Sequence, residues 1–277
     1  MQLKQLEDNA GLPLFERMGR GVTLTEAGQM LVRHALRILG EIKDAEASLQ
    51  ALLGAEVGQL SVGLVSTAKY FMPRLLAHFA QRHPGVVVQF SVGNRETLLQ
   101  KLQDNAIDLA VMGRPPVEID AHAEPMASHP YILIGPPEHP LRDARRFDLH
   151  ELRRETFLLR EDGSGSRRVA EEMFRNHLFT PARTISMGSN ETIKQAVMAG
   201  MGISLISLHT LPLELKTGEV SVLDVIGTPI ERTWYVVHMN SKRLLPAGQK
   251  FRSFLLDEAA PGLEREFGRY LASHTAA

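Results

Sequence analysis

Between Thr25 and Leu53 the chain runs without a proline, and Leu31, Ala35, Ile38, Ile42, Ala45, Leu49 and Leu52 recur at alternating spacings of four and three. Such a series falls on one stripe of a helix, and apolar a and d positions sustained over three heptads make a seam for a second helix. The pattern predicts a dimerising linker helix over 25–54, started by Thr25 and stopped by Gly54. An ordinary amphipathic helix lying on its own domain is the alternative; the regular alternation tells against it. Thirty-one Lys plus Arg against 32 Asp plus Glu leave a net charge of −1, so no global basic field announces nucleic acid. The absence of cysteine removes disulfides, thiolate catalysis and Cys-based zinc sites. No 18-residue apolar run occurs and the first residues are polar, so a cytoplasmic protein without membrane contact is expected.

On either side of this helix the periodicity changes. Residues 1–24 read as a short helix followed by two extended runs around the Gly-rich turn Met18-Gly19-Arg20-Gly21. Beyond Gly58, strands alternate with helices: 60–65, a helix 69–82, 86–92, a helix 96–103 and 107–112, then 156–159, a helix near 166–176, 183–187, a helix 192–199 and 203–207. The second series repeats the first, since Gly93, Glu96, Thr97 and Gln100 recur as Gly188, Glu191, Thr192 and Gln195 at a constant offset of 95. This repeat implies two α/β lobes of βαβ units with a cleft between them. The chain is expected to complete the first part of lobe I over 59–130, form lobe II over 131–231, and return to lobe I over 232–270.

Parallel sheets bind ligands at the carboxyl ends of their strands. Four loops at such ends precede helices: Ser66-Thr67, Gly93-Asn94-Arg95, Gly163-Ser164-Gly165-Ser166-Arg167 and Gly188-Ser189-Asn190. Free N–H groups and the positive end of the helix dipole favour a small anion there, and Arg160 or Arg167 can grip a carboxylate or phosphate bidentately. Taken singly, each polar residue is an ordinary N-cap; four together point to a site. An enzymatic alternative rests on Ser66-Thr67-Ala68-Lys69 and Lys216-Thr217-Gly218, which match the S-x-x-K and K-T-G motifs of penicillin-recognising enzymes. No Ser-x-Asn lies between them and the second stretch reads as a turn, so no catalytic residue is assigned. His122, His129 and His139 read as loop histidines, and neither a metal nor a cofactor is expected.

Leu3-Lys4-Gln5-Leu6-Glu7, Gly11-Leu12-Pro13-Leu14-Phe15-Glu16-Arg17 and Thr23-Leu24-Thr25-Glu26-Ala27-Gly28 together resemble the LysR-type transcriptional regulators, matching the end of the recognition helix, the wing and the start of the linker helix. The stretches 65–71, 93–96, 108–116 and 163–167 resemble the subgroup that controls Calvin-cycle carbon-fixation operons. The resemblance implies an α/β protein: a truncated winged-helix remnant, a coiled-coil linker helix and a bilobal effector domain like a periplasmic binding protein. It implies that Gln2, Lys4 and Gln5 touch promoter DNA, that Arg17 and Arg20 lie beside phosphates, and that Ser66, Thr67, Asn94, Arg160, Ser164, Gly165, Ser166, Arg167 and Asn190 hold a small anionic metabolite. It implies a homo-oligomer. About thirty residues precede the equivalent of Met1 in family members, and a recognition helix reads bases mainly through its N-terminal end, so this chain is expected to bind DNA weakly. A solute-binding protein is the alternative from another class; it shares the cleft and has no use for a linker helix or a wing.

Overall fold

The computed structural model describes residues 2–19, 21–52 and 58–275, apart from the side chains of 43, 44, 47, 48, 50–52 and 269–275. Helix α1 (Gln2–Ala10) leads to a hairpin of β1 (Phe15–Met18) and β2 (Gly21–Leu24), then to α2 (Glu26–Leu52). The side chains of Glu7 and Thr25 and the close packing at Gly28 hold this head together and fasten it to α2. Glu7 Oε1 accepts the N–H groups of Leu14 and Phe15 at 2.8 and 3.2 Å. The Thr25 hydroxyl accepts the Gly28 N–H at 3.1 Å and donates to the Pro13 carbonyl at 2.7 Å, so one side chain both caps the helix and ties down the loop. Gly28 permits the approach, since a Cβ there would stand 2.1 Å from the Leu14 carbonyl oxygen.

α2 presents its stripe to solvent. Ala35, Ile38, Ile42, Ala45 and Leu49 are exposed, Ile38 at 61% and Leu49 at 63%, Leu31 is partly buried, and the side chain of Leu52 lies outside the described residues. Gly40, half a turn round the helix from Leu31, faces lobe I: a Cβ there would lie 2.6 Å from Asn105 Nδ2.

Lobe I contains β3 (Gly58–Val65), α3 (Met72–Arg82), β4 (Val86–Gly93), α4 (Arg95–Gln103), β5 (Leu109–Met112) and β6 (Ala121–Ser128). The helix expected over 69–82 is broken. A single 3-10 turn (Ala68–Tyr70) precedes α3, because Pro73 in the first turn of α3 opens a helix and cannot continue one. The chain then enters lobe II with β7 (Tyr131–Gly135), β8 (Thr156–Arg160), α5 (Gly165–Asn176), β9 (Arg183–Met187), α6 (Asn190–Met198), β10 (Ser204–Ser207), α7 (Pro212–Thr217) and β11 (Ser221–Leu223). It returns through β12 (Thr233–Met239), α8 (Pro246–Ser253), a π-helical turn (Phe254–Ala259) and α9 (Ala260–Thr275).

The lobe I sheet has the order β4-β3-β5-β12-β6, with β3 parallel to β4 and β5, and β12 antiparallel to β5 and β6. Lobe II repeats that order. β9 pairs parallel with β8, the bridge Phe157–Ile203 joins β8 to the start of β10, and β7 runs antiparallel between β10 and β11. Strand β12 of lobe I and strand β7 of lobe II are thus equivalent, and each is the first strand after a crossing. The crossings form a two-stranded ribbon: His129 and Arg232 exchange backbone hydrogen bonds at 2.7 and 3.2 Å, Tyr131 and Ile230 at 3.0 and 2.8 Å. Between the lobes, Phe71, Trp234 and Leu211 belong to one apolar cluster that reaches from Leu60 and Val62 to Leu158 and Ile193.

Candidate functional site

The strand ends of the two lobes face one another across a cavity of about 170 Å³. Lobe I contributes Ser66 and Thr67 after β3, Asn94 and Arg95 after β4, and Gly113 and Arg114 after β5; lobe II contributes Arg160 and Glu161, the turn 163–166, Arg168 and Glu172; His129, Tyr131 and Arg232 come from the crossings.

The floor is held by Arg160. Its side chain is 5% exposed and spans the lobes, donating from Nη1 to Ser66 Oγ at 3.2 Å and to Asn190 Oδ1 at 2.8 Å. Two further N–H groups meet the Glu161 carboxylate at 2.6 Å each. Asn190 is free to serve Arg160 because Ser189 caps α6 in its place, accepting the Thr192 N–H at 3.1 Å. The Asn190 Nδ2 atom is buried without a hydrogen-bond partner. Asn94 caps α4 through the Thr97 N–H at 2.8 Å.

The wall is the start of α5. Gly163 takes φ +81°, a left-handed turn that costs glycine nothing and lets the backbone double back before the helix. Ser164 occupies the N-cap position without a capping bond, so its hydroxyl and the first N–H groups of α5 are available beside the cavity. Tyr131 is buried here; its burial raises the phenol above its ordinary pKa and keeps it a neutral hydrogen-bond partner beside Ser166.

The mouth is cationic. Arg95 donates to the Arg114 and Pro115 carbonyls at 2.8 and 3.1 Å and pairs with Glu118 at 2.7 Å; Arg114 pairs with the same carboxylate at 3.1 Å. The Arg95 hydrogen bond is the main reason that Glu118 sits at about 2. Partial burial lowers the pKa of Arg114, and the neighbouring Arg95 and Arg168 lower it further. Three guanidinium groups, two of them paired with the same carboxylate, leave two positive charges at the entrance, whereas Arg160 and Arg232 are each paired with a glutamate.

A latch joins the lobes beside the cavity. Tyr70 donates to Glu191 Oε1 at 2.7 Å and Lys69 pairs with the same oxygen at 2.8 Å. Burial works to raise the Glu191 carboxyl, but hydrogen bonds from Lys69 and Tyr70 outweigh it and hold the group at about 2.

Of the residues expected to hold an effector, Ser66, Thr67, Asn94, Arg160, Ser164, Gly165 and Ser166 line the cavity, and Asn190 stands behind Arg160. Arg167 does not line it. One position along a helix turns a side chain by about 100°, and Arg167 turns toward Glu171, Asp162 and the Arg160 carbonyl, at 2.8, 3.1 and 3.1 Å. Arg168 lines the cavity instead. The residues expected to hold an effector did not include Arg114, His129, Tyr131, Glu172 and Arg232, and Arg95 entered only as part of its loop; Arg114 follows β5 within the stretch 108–116, and His129, Tyr131 and Arg232 lie on the crossings. Of the histidines expected in loops, His129 and His139 lie in loops, both buried, while His122 lies on β6. Gln2, Lys4, Gln5 and Arg17 are exposed on the head, and Arg20 lies outside the described residues. Among the described residues no helix is long and apolar enough to cross a membrane.

A bilobal sheet pair hinged by two strands, with a cationic cleft between the lobes, defines a ligand-binding domain attached to a long helix with an exposed apolar stripe. Residues 54–260 match the LysR substrate binding domain, and residues 1–29 match the bacterial regulatory helix-turn-helix protein, lysR family. The chain belongs to the LysR family of transcriptional regulators. It is 64% identical to the HTH-type transcriptional regulator CfxR of Cupriavidus necator over 97% of this chain and 84% of that one. It is 45% identical to the RuBisCO operon transcriptional regulator of Allochromatium vinosum, over 94% and 86%. The regulatory domain of Synechocystis CcmR, solved in complex with 2-PG, superimposes with a TM-score of 0.69 at 39% identity, covering 72% of this chain and 96% of that one. A solute-binding protein would account for the cleft and leave the helix-turn-helix match unexplained.

Proposed function

We propose that this chain is a cytoplasmic regulator of the promoter-binding type, expected to hold DNA weakly as it stands, that assembles through α2 and responds to a small dianionic metabolite held between its lobes. The observation that carries the reading is the pair of uncompensated positive charges at the mouth, opposite the uncapped start of α5. Two charges call for a ligand with two, and a phosphate or a dicarboxylate supplies them. Arg95 and Arg114 belong to lobe I and Arg168 to lobe II, so like charges oppose closure of the empty cleft, and an anion between them favours it. The crossings are the only ribbon of the described chain between the lobes and set the axis of that motion. The exposed stripe Ala35, Ile38, Ile42, Ala45 and Leu49, with the partly buried Leu31 at its start, is the surface through which a second copy would receive it.

The test is calorimetric titration of the full chain with 2-PG, the ligand of the CcmR domain. Arg168→Ala should weaken binding by about tenfold, the value of one charge-assisted contact, while Arg167→Ala should leave it unchanged. Equal losses in both variants would remove Arg168 from the site. Binding that survives Arg95→Ala and Arg168→Ala together would refute the dianion reading.

A further inference from the structure

Strands β6 and β12, which run into and out of the crossings, carry a second cluster of polar side chains away from the cleft. His122 stands directly opposite His238 across the antiparallel pair, and Glu124 lies two residues along β6. Opposed residues share a face of a sheet, and so do residues i and i+2, so all three side chains project together. The two imidazole centroids are 5.4 Å apart, and His122 Nε2 is 3.8 Å from Glu124 Oε2. One donor atom from each residue lies within 4.8 Å of the other two, and none of the three residues lines the effector cavity.

We propose that His122, Glu124 and His238 bind a divalent transition-metal ion of the zinc, copper or nickel class, at a site separate from the effector cleft. Two imidazoles and a carboxylate are a donor set such ions prefer, and in a chain without cysteine no thiolate competes. His238 is already in the right tautomer. Its Nδ1 lies 3.1 Å from the Met239 carbonyl oxygen, which can only accept, so Nδ1 carries the proton and Nε2 presents its lone pair. Arg252 grips both oxygens of Glu124. It orients the carboxylate as an outer partner, and on binding Oε1 stays with Arg252 while Oε2, the oxygen facing His122, turns to the ion. Metal–ligand bonds of about 2.0–2.2 Å require the donors to close by roughly 1 Å. His122, 53% exposed, can make that movement by a change of side-chain rotamer. The outward face leaves a further position for water. This reverses the expectation of no metal, which came from reading His122 without its partner on a strand far along the chain.

Zn²⁺ titrated calorimetrically into the full chain is expected to saturate at one ion per chain. His122→Ala and His238→Ala should each lower the affinity at least tenfold, because even outer partners of metal ligands are worth about 10–100-fold. His122 is exposed and His238 half-buried, and neither belongs to an apolar cluster, so circular dichroism should show both variants folded, with zinc raising the melting temperature of the parent alone. Cu²⁺ bound to the parent should show two nitrogen couplings by electron paramagnetic resonance, and one in each variant. Failure of the parent to saturate, an unchanged affinity in the double histidine variant, or a copper spectrum without nitrogen coupling overturns the site. Unchanged affinity in Glu124→Gln overturns the three-ligand set.

Discussion

The two lobes share a strand order and a local cap and differ in the residue just after that cap. Asn94 and Ser189, 95 positions apart, both accept an N–H from the threonine three residues on. The next residue is Arg95 in lobe I, reaching to Glu118 at the mouth, and Asn190 in lobe II, buried behind Arg160. The same offset relates Arg114, exposed at the entrance, to His209, buried against Phe267 and Trp234 with its pKa pushed down by burial to about 3. A duplicated backbone therefore supplies equivalent positions in the two lobes, and single substitutions make those of lobe I cationic and cavity-lining and those of lobe II neutral and buried. The charge that lobe II lacks there it carries at Arg160 and Arg168, one fixed in the floor and one facing the mouth.

The strongest way to break this division is at the floor. Arg160→Met leaves the partly exposed Glu161 carboxylate and the buried Asn190 side chain without their partner, and should cost about 3 kcal/mol after allowing for the solvent that still reaches Glu161. Denaturant unfolding measures it, and a loss under 1 kcal/mol would make Arg160 dispensable to the fold. Next comes the buried histidine. The folded chain keeps His209 neutral down to about pH 3, whereas the unfolded chain takes up its proton below its ordinary pKa of 6.5. The unfolded state binds more protons across that interval, so stability falls as pH drops, by about 2 kcal/mol at pH 5 from this residue. His129, also depressed by burial, by His209 and by Arg232, adds to the same slope. Melting at pH 7 and pH 5 should show a smaller drop for His209→Gln than for the parent. The smallest effect tests the likeness itself: Asn94→Ala and Ser189→Ala should each cost about 1 kcal/mol. Unequal costs would mean that one cap has acquired a role in the cleft.

Much of this arrangement is legible in the residues. The offset repeat, the alternation of strands and helices and the glycine-flanked loops predict two lobes and a cleft, because these patterns are local and recur in register. Leu31 to Leu49 predict a seam for a second helix, and α2 carries Ala35, Ile38, Ile42, Ala45 and Leu49 exposed and Leu31 partly buried. The start of α3 is where local reading slipped: Pro73 was the available signal, and it moves the helix start past the 3-10 turn.

Periodicity and motif spacing by themselves determined the order of parts and the expectation of an anion at the strand ends, and the resemblance of particular stretches to known regulators pointed to the family. Tertiary structure alone decided which side chain fills each place. Arg167 and Arg168 are equivalent in sequence, and only the docking of α5 on its lobe turns one toward Glu171 and the other to the mouth. Ser189 and Asn190 can each cap a helix; Arg160 settles the choice by needing Asn190. The insertion of β12 between β5 and β6 brings His238 to His122. Each of these outcomes depends on a partner distant along the chain or on the angle at which a helix docks, and neither leaves a periodic trace in the sequence.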